Sequence, residues 1–185
     1  MKPILEPFLG WMRIKKIRKY IPRGGRVCDI CCGKDGTLLL KIKDFIKEGV
    51  GYDMDVENSS IGNISFKKKE IAEGIDEKSD YFDCAILLAA IEHLDRPQGV
   101  INECFRILKP GGIILLTTPS PAAKKILEFF GFKFNLISAE LLKTHKRYFN
   151  EEELLKIFTT AGFRKEKIFI EKFEFGYNSF IQAIK

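Results

Sequence analysis

Hydrophobic positions along this chain switch between a helical period and short apolar runs, and the order of the switches predicts a layered α/β fold. From Glu6 to Tyr20 the apolar residues Phe8, Leu9, Trp11, Met12, Ile14 and Ile17 leave a basic opposite face, which predicts an amphipathic helix. Pro22-Arg23-Gly24-Gly25 ends it. Apolar runs then predict strands at 26–30, 49–53 and 64–68, with a helix at 37–47 between the first two and a weak helical turn near 56–61. Phe82-Asp83-Cys84-Ala85-Ile86-Leu87-Leu88 is apolar enough for a central strand buried on both faces. A helix from Pro97 to Leu108, a turn at Lys109-Pro110-Gly111-Gly112 and a strand from Ile113 to Thr118 follow. Such alternation means parallel strands joined by crossover helices.

Pro119-Ser120-Pro121 opens a less regular segment with helical character around 122–130 and 138–143. Asn150 before Glu151, Glu152 and Glu153 is an N-cap with an acidic first turn, predicting a helix at 151–161 that Ala161-Gly162-Phe163 closes. The last two strands, about 164–171 and 174–184, have no helix between them and are expected to form an antiparallel hairpin at the sheet edge. No repeat, low-complexity tract or linker divides residues 1–185, so one domain is expected.

Composition narrows the class. With 45% hydrophobic and 30% charged residues, the 185-residue chain reads as globular, and no apolar run approaches the roughly 18 residues that span a bilayer. Residues 1–20 lack the uninterrupted apolar core of a secretory signal, so a cytoplasmic location is expected. The net charge of +6 is spread along the chain, and the runs Arg13–Lys19 and Lys67-Lys68-Lys69 read as solvated faces; basicity of this kind is a weak nucleic-acid signal. Five cysteines fit reduced thiols better than a disulfide framework. Cys28-x-x-Cys31 matches a redox pair in spacing, but Cys28 falls inside the first strand and no second pair completes a metal site, so no metal is expected.

The chemistry concentrates in Val27-Cys28-Asp29-Ile30-Cys31-Cys32-Gly33-Lys34-Asp35-Gly36. An apolar strand, an acid, a glycine-containing turn and then a helix place backbone N–H groups where a nucleotide-like ligand can approach closely. Three further segments fall in register with it: Gly51-Tyr52-Asp53, the run from Phe82 to Glu92-His93-Leu94, and Arg106-Ile107-Leu108-Lys109-Pro110-Gly111-Gly112. In order and spacing, from Arg26 to Lys185, the chain resembles the class I S-adenosylmethionine-dependent methyltransferases, of the small-molecule, type 11-like kind. The resemblance implies a Rossmann-like, doubly wound, mostly parallel seven-stranded sheet in the order 3-2-1-4-5-7-6, the last strand antiparallel, with helices on both faces. It implies S-adenosylmethionine as cofactor and S-adenosylhomocysteine as product.

The same resemblance assigns roles. Asp53, with Met54 beside it, would take the ribose hydroxyls; Glu70 and the backbone of Ile71 would meet the adenine. Asp29, the turn Cys31, Cys32, Gly33 and Lys34, and Leu88 and Ala89 would surround the methionine part. One departure stands out. The family turn reads acid, x, Gly, x, Gly, x, Gly, whereas here Cys31 and Asp35 replace the first and third glycines and Gly36 lies one residue late; a non-glycine residue at positive φ costs roughly 1–2 kcal/mol.

A sulfonium-bound methyl group is already activated, so orientation of the acceptor matters most, and a base is needed only for a protonated acceptor. His93, after the fourth strand, is the candidate base, and His145 in the 119–149 segment is a second candidate on the acceptor side. The Asn/Asp-Pro-Pro-aromatic clamp of planar amines is absent, since Leu88-Ala89-Ala90 stands there, and Cys84 follows Asp83 rather than proline. A small-molecule or lipid-like acceptor methylated at O, C or N is therefore expected, with an RNA methyltransferase and a non-catalytic domain of the same fold as alternatives. Residues 1–21 could form a lid, a peripheral membrane contact or a helix packed on the sheet.

Overall fold

A computed structural model describes residues 5–124 and 144–185. The described elements are α1 (Leu5–Arg18), β1 (Arg26–Ile30), α2 (Thr37–Ile42), β2 (Glu48–Asp53), β3 (Ser59–Ile61), β4 (Ile64–Lys68), β5 (Phe82–Leu88), α3 (Pro97–Ile107), β6 (Leu108–Pro119), α4 (Glu151–Ala161), β7 (Ile168–Phe173) and β8 (Asn178–Ile184). They form one eight-stranded sheet in the order β3-β4-β2-β1-β5-β6-β8-β7. Pairing is parallel from β4 through β6, while β3 and β8 run antiparallel to their neighbours. Seven of these strands keep the expected order, and β3 is an addition at the edge.

Alternate residues of the central strands serve two cores. Val27, Cys84, Ile86, Leu115 and Phe180 pack with Ile17 of α1 and Leu38, Leu39 and Ile42 of α2. Cys28, Ile30, Ala85, Leu87, Leu116 and Ile181 face the other way, against Val100, Ile101 and Cys104 of α3 and Leu154 and Phe158 of α4. Helices therefore cover both faces, and β1 and β5 at the centre are apolar on both sides, as parallel strands require.

Four boundaries differ from the sequence reading, the first being the turn expected at Lys109-Pro110-Gly111-Gly112, which lies inside β6 where its register with β5 shifts between Phe82 and Cys84. The helical turn expected near 56–61 is instead β3, whose Ile61 pairs with Ile64 across the two-residue loop Gly62-Asn63, with Gly62 at φ 62°; a glycine-containing pair between strand formers is a hairpin signal. The helix expected to reach residue 47 leaves α geometry after Ile42 and ends in a 3-10 turn, Lys43–Phe45. The C-terminal strands are shorter than expected, because 3-10 turns occupy Lys165–Lys167 and Glu174–Gly176. Asn150 does cap α4, accepting from the Glu153 N–H while the Glu153 carboxylate accepts from the Asn150 N–H. The helices expected around 122–130 and 138–143 lie outside the described residues, apart from 122–124.

Helix α1 packs through its second half. Ile17 is fully buried, Tyr20 stacks on Phe180 with ring centroids 5.2 Å apart, and Lys16 pairs with Glu171. Phe8 and Trp11, about half exposed, stack on each other instead.

Gly36 is the glycine this fold tolerates least to lose. Its φ is 53°, and a Cβ there would stand 2.0 Å from the Phe66 ring. Gly36→Ala therefore combines left-handed strain with overpacking and is expected to cost about 3 kcal/mol, a drop in Tm of roughly 6–12 °C. Gly33→Ala, also at positive φ but with nothing within 4 Å, should cost only about 1–2 kcal/mol. Thermal unfolding of the two variants side by side checks the ranking.

Candidate active site

Open parallel sheets bind ligands beyond the carboxyl ends of their strands, where the strand order reverses. Here that point lies between β1 and β5. A cleft of about 630 Å³ opens there, inside the roughly 300–1,000 Å³ usual for small-molecule sites.

Three strand ends shape the cleft. After β1 the chain turns through Cys31 and Gly33, at φ 58° and 74°. The Gly33 N–H donates to Asp53 Oδ2 at 2.8 Å, and the Asp55 N–H donates to Asp53 Oδ1 at 2.9 Å. Two backbone donors thus fix the carboxylate at the end of β2, and each oxygen keeps lone-pair capacity for a further donor. After β5, Ala89 is also left-handed, at φ 49°, with its N–H donating to the Thr117 carbonyl at 2.8 Å. Cys31 and Ala89 both line the cleft, so two non-glycine residues hold strained backbone where ligand sites characteristically keep it.

Cys31, Gly33, Lys34, Asp53 and Met54 line the cleft, as do Glu70, Ile71, Ala89 and His93. Four other residues singled out from the sequence do not. Cys32 turns toward Gly51, where a Cβ would stand 2.9 Å from its Sγ, and Leu88 packs into the core shared with α1 and α2. Asp29 is only 3% exposed, and its carboxylate makes no hydrogen bond among the described residues; burial, with Asp53 nearby, pushes its pKa up to about 8. Burial likewise holds the Cys31 thiol up at about 12, and Cys28 lies fully buried within β1.

His145 lies behind His93 rather than in the cleft wall. The two rings, 52 positions apart in the chain, approach to 4.7 Å at 74°. His93 Nδ1 lies 2.8 Å from Thr144 Oγ1, and His145 Nδ1 lies 3.0 Å from the Tyr148 hydroxyl. The segment is tied down by the Lys146 N–H, which donates to the Glu92 carbonyl at 2.9 Å, and by the Lys146–Asp95 ion pair at 2.5 Å. Burial lowers the pKa of both imidazoles, and burial together with His93 and Arg13 brings His145 down to about 4. Both rings are thus neutral near pH 7, able to accept a proton.

Two residues of this site escaped the sequence reading. Glu92 entered only as part of Glu92-His93-Leu94, yet it is fully buried, with Oε2 accepting from Thr118 Oγ1 at 3.0 Å and Oε1 unpartnered. Burial raises its pKa to about 7, against the lowering effects of its own backbone N–H, Arg13 and Thr118. Arg13 entered as part of a solvated basic face, yet its Nε is buried and its charge acts on Glu92, His93 and His145. The available signal was a charge set between Met12 and Ile14 on the helix's apolar side. Among the described residues, Glu92, His93 and His145 also bring one ligating atom each within 4.8 Å of one another. They have the donor chemistry for a divalent cation, but the Arg13 charge beside all three opposes one.

A family model described as a methyltransferase domain matches residues 12–168. This chain belongs to the class I S-adenosylmethionine-dependent methyltransferases. The chain is 28% identical over 134 residues to a mitochondrial ubiquinone biosynthesis O-methyltransferase of Mus musculus, covering 64% of this chain and 36% of that protein. It is 25% identical over 184 residues to a ubiquinone/menaquinone biosynthesis C-methyltransferase of Azotobacter vinelandii, covering 84% and 72%. A crystal structure of a SAM-dependent methyltransferase from Archaeoglobus fulgidus superposes with a TM-score of 0.69 at 22% identity, covering 96% of this chain and 94% of that one, and supports the shared fold. The chain spans between 36% and 66% of the length of several curated relatives it matches. No helix among the described residues is long and apolar enough to cross a membrane.

Proposed function

We propose that this chain transfers a methyl group from S-adenosylmethionine to an oxygen or carbon atom of a small-molecule or lipid-like acceptor. The observation that carries this is the cleft at the sheet's reversal point, which both the backbone-fixed Asp53 carboxylate and His93 line. When bound, the cofactor supplies an activated methyl on a positively charged sulfur. Asp53 would accept from the ribose hydroxyls, Glu70 and the Ile71 N–H would meet the adenine, and Asp29 would compensate the ammonium of the methionine part. Ala89 and Ala90 leave the cleft wall short of side chains where the acceptor must reach the methyl group. His93, neutral and seated on Thr144, takes the proton of a hydroxyl acceptor.

The nature of the relatives favours a ring-bearing acceptor. Their names describe both O- and C-methyltransferases of quinone biosynthesis, and a hydroxylated ring, able to offer either an oxygen or a ring carbon to the methyl group, fits both. The exposed Phe8 and Trp11 at the amino end of α1, with Lys15 over the Trp11 ring at 4.8 Å, suit contact with a membrane surface holding a lipid-like acceptor. The test is transfer of label from methyl-labelled S-adenosylmethionine to hydroxylated aromatic compounds and their prenylated forms. Labelled product that His93→Ala lowers by about 100-fold, within the range of base catalysis, is the expected result. A wild type that binds the cofactor without labelling any such compound would remove this acceptor class.

A further inference from the structure

The sheet ends on one side in β7, where the sequence reads the same in both directions once each charge is exchanged for its opposite. The stretch is Glu166-Lys167-Ile168-Phe169-Ile170-Glu171-Lys172. Residues equidistant from Phe169 are Ile168 and Ile170, Lys167 and Glu171, and Glu166 and Lys172: one apolar pair and two pairs of opposite charge. Strand β7 is last in the strand order and pairs only with β8 among the described elements, in unbroken register from Ile168 to Phe173. From Phe169 to Lys172 no described residue outside β8 hydrogen-bonds its backbone. Phe169 is 48% exposed, its ring meeting that of Phe180 at 6.5 Å on the face that α1 covers.

A regular edge strand with an exposed aromatic templates pairing with another chain unless proline, a bulge, shortness or charge guards it. The opposite edge, β3, is guarded by its length of three residues. Strand β7 has six residues, no proline and no bulge, so charge is its remaining guard. Whether charge repels or attracts a second copy depends on register. An antiparallel self-pair has a two-fold axis normal to the sheet, so opposing residues share a face and the axis passes through one residue position. An axis at Glu171 sets that carboxylate against its own copy. An axis at Ile170 sets Glu171 against Phe169 and Lys172 against Ile168. An axis at Phe169 brings the two Phe169 rings together, sets Ile168 against Ile170, and meets every charge with its opposite; cross-strand pairs of these kinds stabilise, whereas like charges destabilise.

We propose that β7 is a self-association edge: a second copy of this chain pairs antiparallel along it, centred on Phe169, and joins two eight-stranded sheets into one. The side chains needed at the ends of the pairing are available. Glu166 and Lys167, in the 3-10 turn that leads into β7, are exposed and form no ion pair among the described residues. Lys172 meets Glu151 only at 3.5 Å, with both side chains 55% exposed. Glu171 holds Lys16 on Oε1, which leaves its other oxygen for Lys167 of the second copy. Strands β6 and β7 both run antiparallel to β8 and hence parallel to each other, so antiparallel pairing of β7 points the two clefts toward opposite ends of the joined sheet. Each cleft is complete within one chain, and the pairing does not depend on the methyl-transfer reading.

The experiment is sedimentation equilibrium of the full chain over a range of concentrations. The mass is expected to rise from that of one chain toward that of two, with a Kd on the order of 10 μM, as suits an interface at the small end of the range. Phe169→Lys should leave a monomer throughout. Glu166→Lys and Lys172→Glu should each weaken association about tenfold, because each sets like charges together at two symmetric places. The double variant carrying both substitutions should return to within about twofold of wild type, since it restores both pairs with their charges reversed. Circular dichroism shows that each variant is folded. A wild type that stays monomeric, a dimer indifferent to Phe169→Lys, or a double variant as weak as the single ones would each overturn the proposal.

Discussion

Asp53→Ala is expected to weaken S-adenosylhomocysteine binding by at least about 100-fold in calorimetry, with the protein still folded. Hydrogen bonds to a charged group contribute roughly 1.5–3 kcal/mol each, so loss of two ribose contacts corresponds to about 3–6 kcal/mol, or two to four powers of ten in affinity. The backbone bonds from Gly33 and Asp55 are lost as well. Both are solvent-accessible, so water replaces the carboxylate and the stability change stays small. Asp53→Asn is the sharper probe. Its amide offers one acceptor oxygen, but its NH2 group must face one of the two backbone donors, so its affinity should fall between those of wild type and alanine. Alanine-variant binding equal to wild type would place the ribose elsewhere and detach Asp53 from the cofactor.

What the sequence disclosed best was the local chemistry of strand ends. Asp53 closes a strand that Gly49 and Gly51 keep slim, and Asp29 sits one residue before the end of another; both positions follow from period and turn signals alone. The seven-strand order was legible through the resemblance, whereas β3 required weighing Gly62-Asn63 as a hairpin loop rather than the polar residues before it as a helical turn. Left-handed backbone at Cys31 was foreseeable from the turn motif, but left-handed Ala89 was not, because nothing in Leu88-Ala89-Ala90 announces it.

Contacts across long stretches of chain were the illegible part. His93 and His145 were each singled out, but their approach to 4.7 Å depends on Lys146 being pinned to the Glu92 carbonyl. Glu92 looked like any acid following a strand, and only tertiary packing makes it fully buried. Arg13 was hidden by its neighbours: a run of lysines and arginines reads as one solvated face, although one member of it turns inward. Charges that pack inward against other elements carry no periodic signature, so only the folded structure shows them buried.

Binding of S-adenosylhomocysteine should strengthen as pH rises from 6.0 to 7.5, by roughly tenfold or more, and should release a proton. The cause is Asp29, whose pKa burial and the neighbouring Asp53 raise from 3.8 to about 8 in the ligand-free protein. Over this range the carboxyl holds its proton until a ligand ammonium arrives to compensate the charge, so binding competes with that proton and affinity rises with pH toward 8. The slope has an upper bound of tenfold per pH unit for one proton released. The same shift makes the opposite prediction for stability without ligand. A group whose folded pKa exceeds its unfolded value contributes stability that is fully present below the unfolded pKa and is lost as pH rises through the folded one. Asp29 acts in this way between about 3.8 and 8, and Glu92 between 4.5 and about 7. Tm of the ligand-free protein should therefore fall from pH 5 to 8, while saturating S-adenosylhomocysteine flattens the Asp29 part of that decline. Asp29→Asn separates the two carboxyls: it should abolish the pH dependence of binding and the buffer-dependent proton release, and it should leave the smaller Glu92 slope in Tm. A pH-independent affinity in the wild type would mean that the ligand ammonium is compensated by some group other than Asp29.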